Sequence, residues 1–389
     1  MLSKVALTLG TTQTLSWASS YYLPAVLAAP MAKELGIPSA TVYAGFSMAL
    51  LVAAPLGPLS GRMIDRWGGR SVLMASNLLF ALAMVGLSQI EGLLSLFLAW
   101  AVLGVAMGCG LYDAAFAALV RQEGPAARNA IAGITLIGGF ASTVGWPLSA
   151  WMEFHWGWRH ACLGWAGLHI LMGLPLNAML SKPSQAKVED AGPLDGRDEP
   201  MGDHQELPVR TAALLSFVFA TSYFSSVAMA AHLPALLQTA GVGMVAAVAV
   251  GALIGPAQVA GRILEISLMR KHHPIWSARL AALGHPLGVL ALLSLGPAVA
   301  PAFALLHGLG NGVMTIVRGT LPLAMFGAQG YGARQGWLVV PTRIVSALAP
   351  YAVGLALDAW GSATWWLTFT VSTAALLALL QLRVSRFND

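Results

Sequence analysis

Residues 61–70 read GRMIDRWGGR, and the opening of that stretch returns at residues 261–265 as GRILE. In both places a glycine and an arginine precede two apolar residues and a carboxylate, at the end of a long apolar run. A second pair of matches keeps the same order: Leu23-Pro24-Ala25 recurs as Leu233-Pro234-Ala235. One such match is weak evidence. Two in the same order point to an internally duplicated unit, with an insertion of about ten residues separating their registers.

The apolar runs themselves set the class. Of 389 residues, 57% are hydrophobic and 10% charged, and the mean hydropathy is +0.71. A soluble domain carries roughly 25% charged residues. A chain of this length reaches so low a charge fraction only when most of it lies in lipid, so it reads as an all-α polytopic membrane protein. A membrane-crossing helix needs about 20 mainly apolar residues. Such runs lie near 5–29, 40–61, 71–90, 93–120, 129–152 and 159–180, and again near 211–237, 243–267, 275–296, 300–326, 333–358 and 361–382. Twelve spans in two duplicated six-helix bundles are therefore expected: residues 1–180, a polar Pro- and Gly-rich cytoplasmic linker over 181–210, and residues 211–389. The start of the chain, with Lys4, an apolar run and LAAPMAKE, imitates a secretory signal. The run from Val5 to Ala29 is too long for one and reads as the first span. With both termini in the cytoplasm, 17 of the 21 basic residues fall on that side and only Lys33 and Arg159 on the other, leaving Arg318 and Arg343 inside spans. The net charge of +5 thus follows the membrane and gives no nucleic-acid surface. Cys109 and Cys162 both lie in apolar runs, with neither disulfide nor metal-ligand spacing.

GRMIDRWGGR between spans two and three resembles the signature loop of the major facilitator superfamily. Gly61, Asp65, Arg66, Gly68 and Arg70 stand at its characteristic positions, and Ser71 replaces the last basic residue. The resemblance implies a loop that latches the two halves in one state, with Asp65 facing a helix N-terminus across the interface. Arg262 and Glu265 would be its second copy. Gly157-Trp158-Arg159 at the start of span six is similar to a frequent outer-loop pattern of the same superfamily. GGFASTVGWP (138–147) in span five is loosely similar to the Gly/Pro-rich fifth helix of its exporters, without their glycine spacing. The resemblance further implies that spans one, four, seven and ten surround a central cavity and that the monomer is the working unit. One departure stands out: where many members carry an arginine early in span four, this chain has Trp100.

Residues three, four, seven and eleven apart share a helix face. On span ten, in HGLGNGVMTIVRGTLP (307–322), that face holds His307, Asn311 and Arg318. Span one contributes Gln13, Trp17 and Tyr21, span seven Tyr223, span eleven Arg343 and span four Asp113. An intramembrane charge is functional by default, because an unpaired one is costly. Arg318 and Arg343 serve either as anion ligands or as struts paired with Asp113 or helix carbonyls. Asp113 is either an ion-pair partner or a protonatable site, and His307 either an interhelical donor or a proton carrier. Tyr21 and Tyr22 fit either the cavity or an interfacial belt. His169, His232 and His285 read as packing or helix-end residues. The glycines of 308–312 read as close-approach positions, and no strand precedes them to make a phosphate loop.

Two arginines and one carboxylate give a net positive cavity, and a planar guanidinium captures carboxylates bidentately. The expected function is secondary transport of a small organic anion by alternating access, with Asp113 available for proton coupling. A basic pair in the C-terminal half also resembles the monocarboxylate and oxalate-exchanger branches of the superfamily. The alternatives are efflux of hydrophobic drug-like or metalloid compounds and, from another class, a non-transporting membrane sensor. No HExxH, catalytic carboxylate pair or Ser/His/Asp set is present, so no enzyme is expected, and no metal or cofactor. The partners are then a small solute, the lipid bilayer of a bacterial inner membrane and protons.

Overall fold

The computed structural model describes residues 4–123, 127–181, 209–269, 272–326 and 331–382, which are helical almost throughout. Linker residues 182–208 lie outside this set. Helix is the forced choice here, because each backbone polar group in lipid must find its partner within its own segment.

Eight apolar runs among the described residues are long enough to cross a membrane. Two of them, of 46 and 41 residues, each hold two spans. In the first, Gly157 turns the chain at φ 77°, and in the second the turn Gly361–Ala363 does so, with Gly361 at φ 53°. Only glycine takes that region of backbone space without strain. Two further spans are broken helices: Lys4–Ser19 with Pro24–Leu35, and Ser39–Ala53 with Leu56–Trp67. Together these make the twelve-helix arrangement.

In chain order, span three is Gly69–Ser88, span four Leu93–Gly110 with Tyr112–Glu123, and spans five and six run from Ala127–Gly138 through Ala141–Leu168 to Leu174–Ala178. Span seven is Val209–Thr239, and span eight Met244–Ala252 with Ile254–Leu264. Spans nine to twelve are Pro274–Leu295, Ala300–Phe326, Tyr331–Trp360 and Thr364–Gln381. Pro234, Pro286, Pro322, Pro341 and Pro350 lie inside these helices, each removing one helical hydrogen bond.

Small residues set the helix spacing. A side chain on Gly312 would stand 2.2 Å from the Gln258 carbonyl of span eight, and one on Gly310 2.5 Å from the Ala281 carbonyl of span nine. GLGNG therefore clamps span ten between two backbones. Gly104 makes the corresponding approach of span four to span two, 2.5 Å from the Ala49 carbonyl. Trp100, in the place of the superfamily arginine, is fully buried and fills the space over Gly45, where a Cβ would fall 2.3 Å from its ring.

The Gly157-Trp158-Arg159 corner is a structural knot. Arg159 donates to Glu34 at 2.8 Å and to the carbonyls of Ser88 and Ile90, while Trp158 Nε1 donates to Glu34. Spans one, three and six are thereby tied at one end. The hydrogen bonds from Arg159, then Trp158, hold the Glu34 carboxyl below the usual carboxylate range. Since that pKa is lowered by folding, the knot contributes its full stability above the ordinary glutamate range and loses it as pH falls below that range, through the lowered value.

Candidate functional site

A cavity of about 320 Å³ lies between the first six spans and the last six. Trp17 and Tyr21 of span one, Tyr112, Asp113 and Phe116 of span four, Tyr223 of span seven and Arg343 of span eleven line it. The aromatic wall is continuous. Trp17 packs against Tyr21 and Tyr112 with centroids 4.8 and 5.0 Å apart, and Tyr112 stacks on Phe116.

A break in span four places the carboxylate. Leu111 is extended (ψ −167°), so the helix ends at Gly110 and restarts at Tyr112. Asp113 then occupies a first turn, where the helix N-terminus complements a negative charge. The same break strips the Gly110 carbonyl of its helical donor, and Gln13 Nε2 donates to it at 2.7 Å. Gln13 is buried in that bond and does not reach the cavity, which corrects the sequence expectation for it.

Arg343 crosses the cleft. Its Nη1 donates to the Ala54 carbonyl of span two at 3.1 Å, and its Nη2 lies 4.0 Å from Asp113 Oδ2. With 47% of the Arg343 side chain and 75% of the Asp113 side chain exposed, this pair stabilises by at most about 1 kcal/mol. It is Arg343, and not Arg318, that meets Asp113.

Arg318 lies one ring away. Its guanidinium carbon sits 4.0 Å over the centroid of Tyr223, a cation–π contact. It lines a separate, smaller slot of about 40 Å³, walled by spans seven, nine, ten and twelve. Asn311 and His307 line that slot too, not the central cavity. Asn311 accepts a hydrogen bond from Ser226, and His307 Nδ1 is 2.9 Å from His285 Nδ1. Of the eight expected substrate contacts, Trp17, Tyr21, Tyr223 and Arg343 share the cavity. Arg318, Asn311 and His307 face the slot, and Gln13 faces neither.

The expected latch residues divide likewise. Gly68 has φ 83°, which accounts for glycine at the turn into span three. Arg66 lies over Trp67, and the region between spans two and four is fastened by Arg121, which donates to the Ile64 carbonyl at 2.8 Å. A side chain on Gly61 would meet nothing within 4 Å among the described residues, and the side chain of Asp65 lies outside them. Arg70 is half-buried. In the second copy, Arg262 is buried and donates to the Thr135 carbonyl of span five, bridging the two sets of helices, and Glu265 is buried beside it on the next turn.

Sequence reasoning missed the seal at the cavity's other end. The ring of Tyr43 in span two meets His232 of span seven at 3.9 Å, and His232 Nε2 donates to the Pro350 carbonyl of span eleven at 2.7 Å. The Tyr351 backbone N–H donates to Ser47 Oγ, and that of Ala40 to Asp358 Oδ2. A carboxylate from one side thus faces a helix N-terminus on the other, at the end opposite the Gly61–Arg70 loop. The spacing Tyr43–Ser47 and the Pro350-Tyr351 pair were the available signals. Neither is charged, so neither stood out.

In sequence, residues 9–306 match the Major Facilitator Superfamily. No curated protein matches the chain. Among solved structures, a point-mutant form of the nucleoside transporter NupG superposes with TM-score 0.76 at 12% identity, with 97% of this chain and 99% of that one covered. Another structure of NupG gives 0.73 at 13%, covering 98% and 100%. A D-xylose-proton symporter gives 0.71 at 13%, covering 97% and 96%. At these identities the likeness shows the fold.

Proposed function

The chain belongs to the Major Facilitator Superfamily and is a multi-pass membrane transporter, and on that premise we propose that it carries a small organic anion, carboxylate-like, by alternating access. The observation that carries this reading is the Arg343 fork: it faces an aromatic-walled cavity, held by one carbonyl and one long contact to Asp113. A carboxylate offers the guanidinium a shorter, bidentate partner than Asp113 does. Trp17, Tyr21 and Tyr223 would hold the apolar part of the cargo. Arg318, stacked behind Tyr223, supplies the second positive charge once that ring turns.

Residues 1–180 and 211–389 act as the two halves that rock about this site, joined by the 181–210 linker. The strong bias of basic residues supports cytoplasmic termini, so the cavity opens inward and the Tyr43–His232 seal lies on the outer side. The alanine- and glycine-rich composition suits a bacterial inner membrane, with the monomer as working unit. Latching by Gly61, Asp65, Arg66, Gly68 and Arg70 would act when the inner end closes, and Arg262, with Glu265 buried on the next turn, already bridges to the Thr135 carbonyl of span five.

A second reading rests on the aromatic wall and on Asp113 offsetting Arg343. Together they suit a flat neutral cargo, such as the nucleoside named for NupG, or a hydrophobic compound for efflux. The two readings separate in proteoliposomes. Lactate or oxalate uptake is expected from the wild type and is expected to fall about a hundredfold in Arg343→Ala and Arg318→Ala, a loss of the size of a charge-assisted contact. Full uptake by both variants, with the fold intact by thermal unfolding, overturns the anion-ligand assignment.

A further inference from the structure

The slot behind Arg318 holds a group that the central cavity does not need. His285 of span nine and His307 of span ten meet Nδ1 to Nδ1 at 2.9 Å, both more than nine-tenths buried. Two neutral imidazoles in that geometry share one proton: one ring donates from Nδ1 and carries a lone pair at Nε2. The Nε2 atom of His285 is buried with no hydrogen-bond partner among the described residues, and its ring lines the slot. Ser222, Ser225 and Asn311 line the slot as well, and its volume of about 40 Å³ admits about three or four waters at about 10–15 Å³ each. Arg318 lines the slot and sits over Tyr223, which in turn lines the central cavity.

We propose that the His285–His307 pair is the proton-carrying site of this transporter, loaded from the central cavity through the slot past Arg318. The coupling of that proton to cargo rests on the anion reading above; the site itself does not. In the loading step, a hydronium ion from the cavity gives its proton to the lone pair of His285 Nε2: one O–H bond breaks, one N–H bond forms, and neutral water is left. The ring becomes an imidazolium, and its Nδ1–H bond to His307 Nδ1 becomes charge-assisted. Release is the reverse, with water taking the proton back.

The surroundings make the pair sensitive to the cargo. Arg318 is the charged side chain on the same face of span ten, about 16 Å along the axis from His307, with its side chain reaching back toward the helix start. Spans seven and twelve bring hydroxyls, Ser222, Ser225 and Ser372, and the slot's described lining contains no carboxylate. On span nine, Arg279 is turned away to the carbonyls of Leu379 and Leu382. On span eight, Arg262 is turned to Thr135, with Glu265 beyond it. Arg318 therefore opposes a second positive charge in the slot. A carboxylate drawn onto Arg318 removes that opposition, so anion and proton load together. Asp113, exposed and paired with Arg343, does not have this arrangement.

Two measurements test the assignment. In protein labelled with [15N]histidine and held in lipid nanodiscs, two imidazoles are expected to titrate together between pH 4 and 8, and that joint transition is expected to vanish in His285→Gln. Imidazoles that stay neutral across the range, or a joint transition that survives His285→Gln, overturn the proposal, whatever the cargo proves to be. In proteoliposomes, lactate accumulation driven by an inward proton gradient is expected to fall about tenfold or more in His285→Gln, while lactate counterflow, which needs no net proton movement, stays within about twofold. Equal gradient-driven accumulation overturns the coupling. Absence of lactate counterflow in the wild type overturns the anion reading alone, and the titration still decides the site.

Discussion

The contact between span two and span eleven is made twice, in opposite ways, at its two ends. Toward Ser39 and Trp360 it is closed: Tyr43 rests on His232, Ser47 accepts from Tyr351, and Ala40 donates to Asp358. Toward Leu56 and Tyr331 it parts around the cavity and is bridged by the Arg343–Ala54 hydrogen bond. The closed end is built from packed rings, a hydroxyl and backbone groups with one carboxylate, Asp358, at its edge, and the association of the rings depends on fit and is lost when fit is lost. At the open end the bridge is an exposed guanidinium, whose partners water or a solute can replace. A rocking transporter needs one end tight and selective in packing, the other wet and exchangeable.

That contrast can be broken from either side. The largest effect is expected from fixing the closed end. A cysteine pair at Ser47 and Tyr351, in a background lacking Cys109 and Cys162, is expected to abolish uptake when cross-linked and to regain it on reduction. Uptake that persists through complete cross-linking would mean that this end never opens. Wedging the same end comes next. A side chain on Gly354 would meet Tyr43 at 3.0 Å and the Ala40 backbone at 3.3 Å. Gly354→Leu is expected to lower stability by about 1–3 kcal/mol and to make a cysteine at position 43 reactive from the outer side. Unchanged Tm with an unreactive cysteine would place the seal elsewhere. Smallest is the open end: Asp113→Asn removes a contact of at most about 1 kcal/mol, so Tm is expected to hold and anion affinity to change by less than about fivefold. A collapse of folding in that variant would show Asp113 to be a structural strut.

The spans and the family were legible because hydropathy and the Gly61–Arg70 loop are local signals. Much of the site was not, because its geometry comes from breaks in helices. Gln13 looks like a cavity residue by periodicity, yet the extended Leu111 creates the orphan carbonyl that captures it. Arg318 and Arg343 look alike as lone intramembrane charges. Which of them meets Asp113 depends on how each helix is rotated and bent, and spans ten and eleven carry Pro322, Pro341 and Pro350. His285 reads as packing in one dimension. Its meaning comes only from His307 on the neighbouring helix, brought close where Gly310 meets the Ala281 carbonyl.

The cargo is the central claim, and ligand-dependent thermal unfolding of the purified protein tests it most directly. Lactate and oxalate, compared with uridine, xylose and a lipophilic cation, are expected to raise Tm, and the rise is expected to disappear in Arg343→Ala. Stabilisation by the neutral or cationic compounds instead, unchanged by loss of Arg343, would contradict an anion site in this cavity.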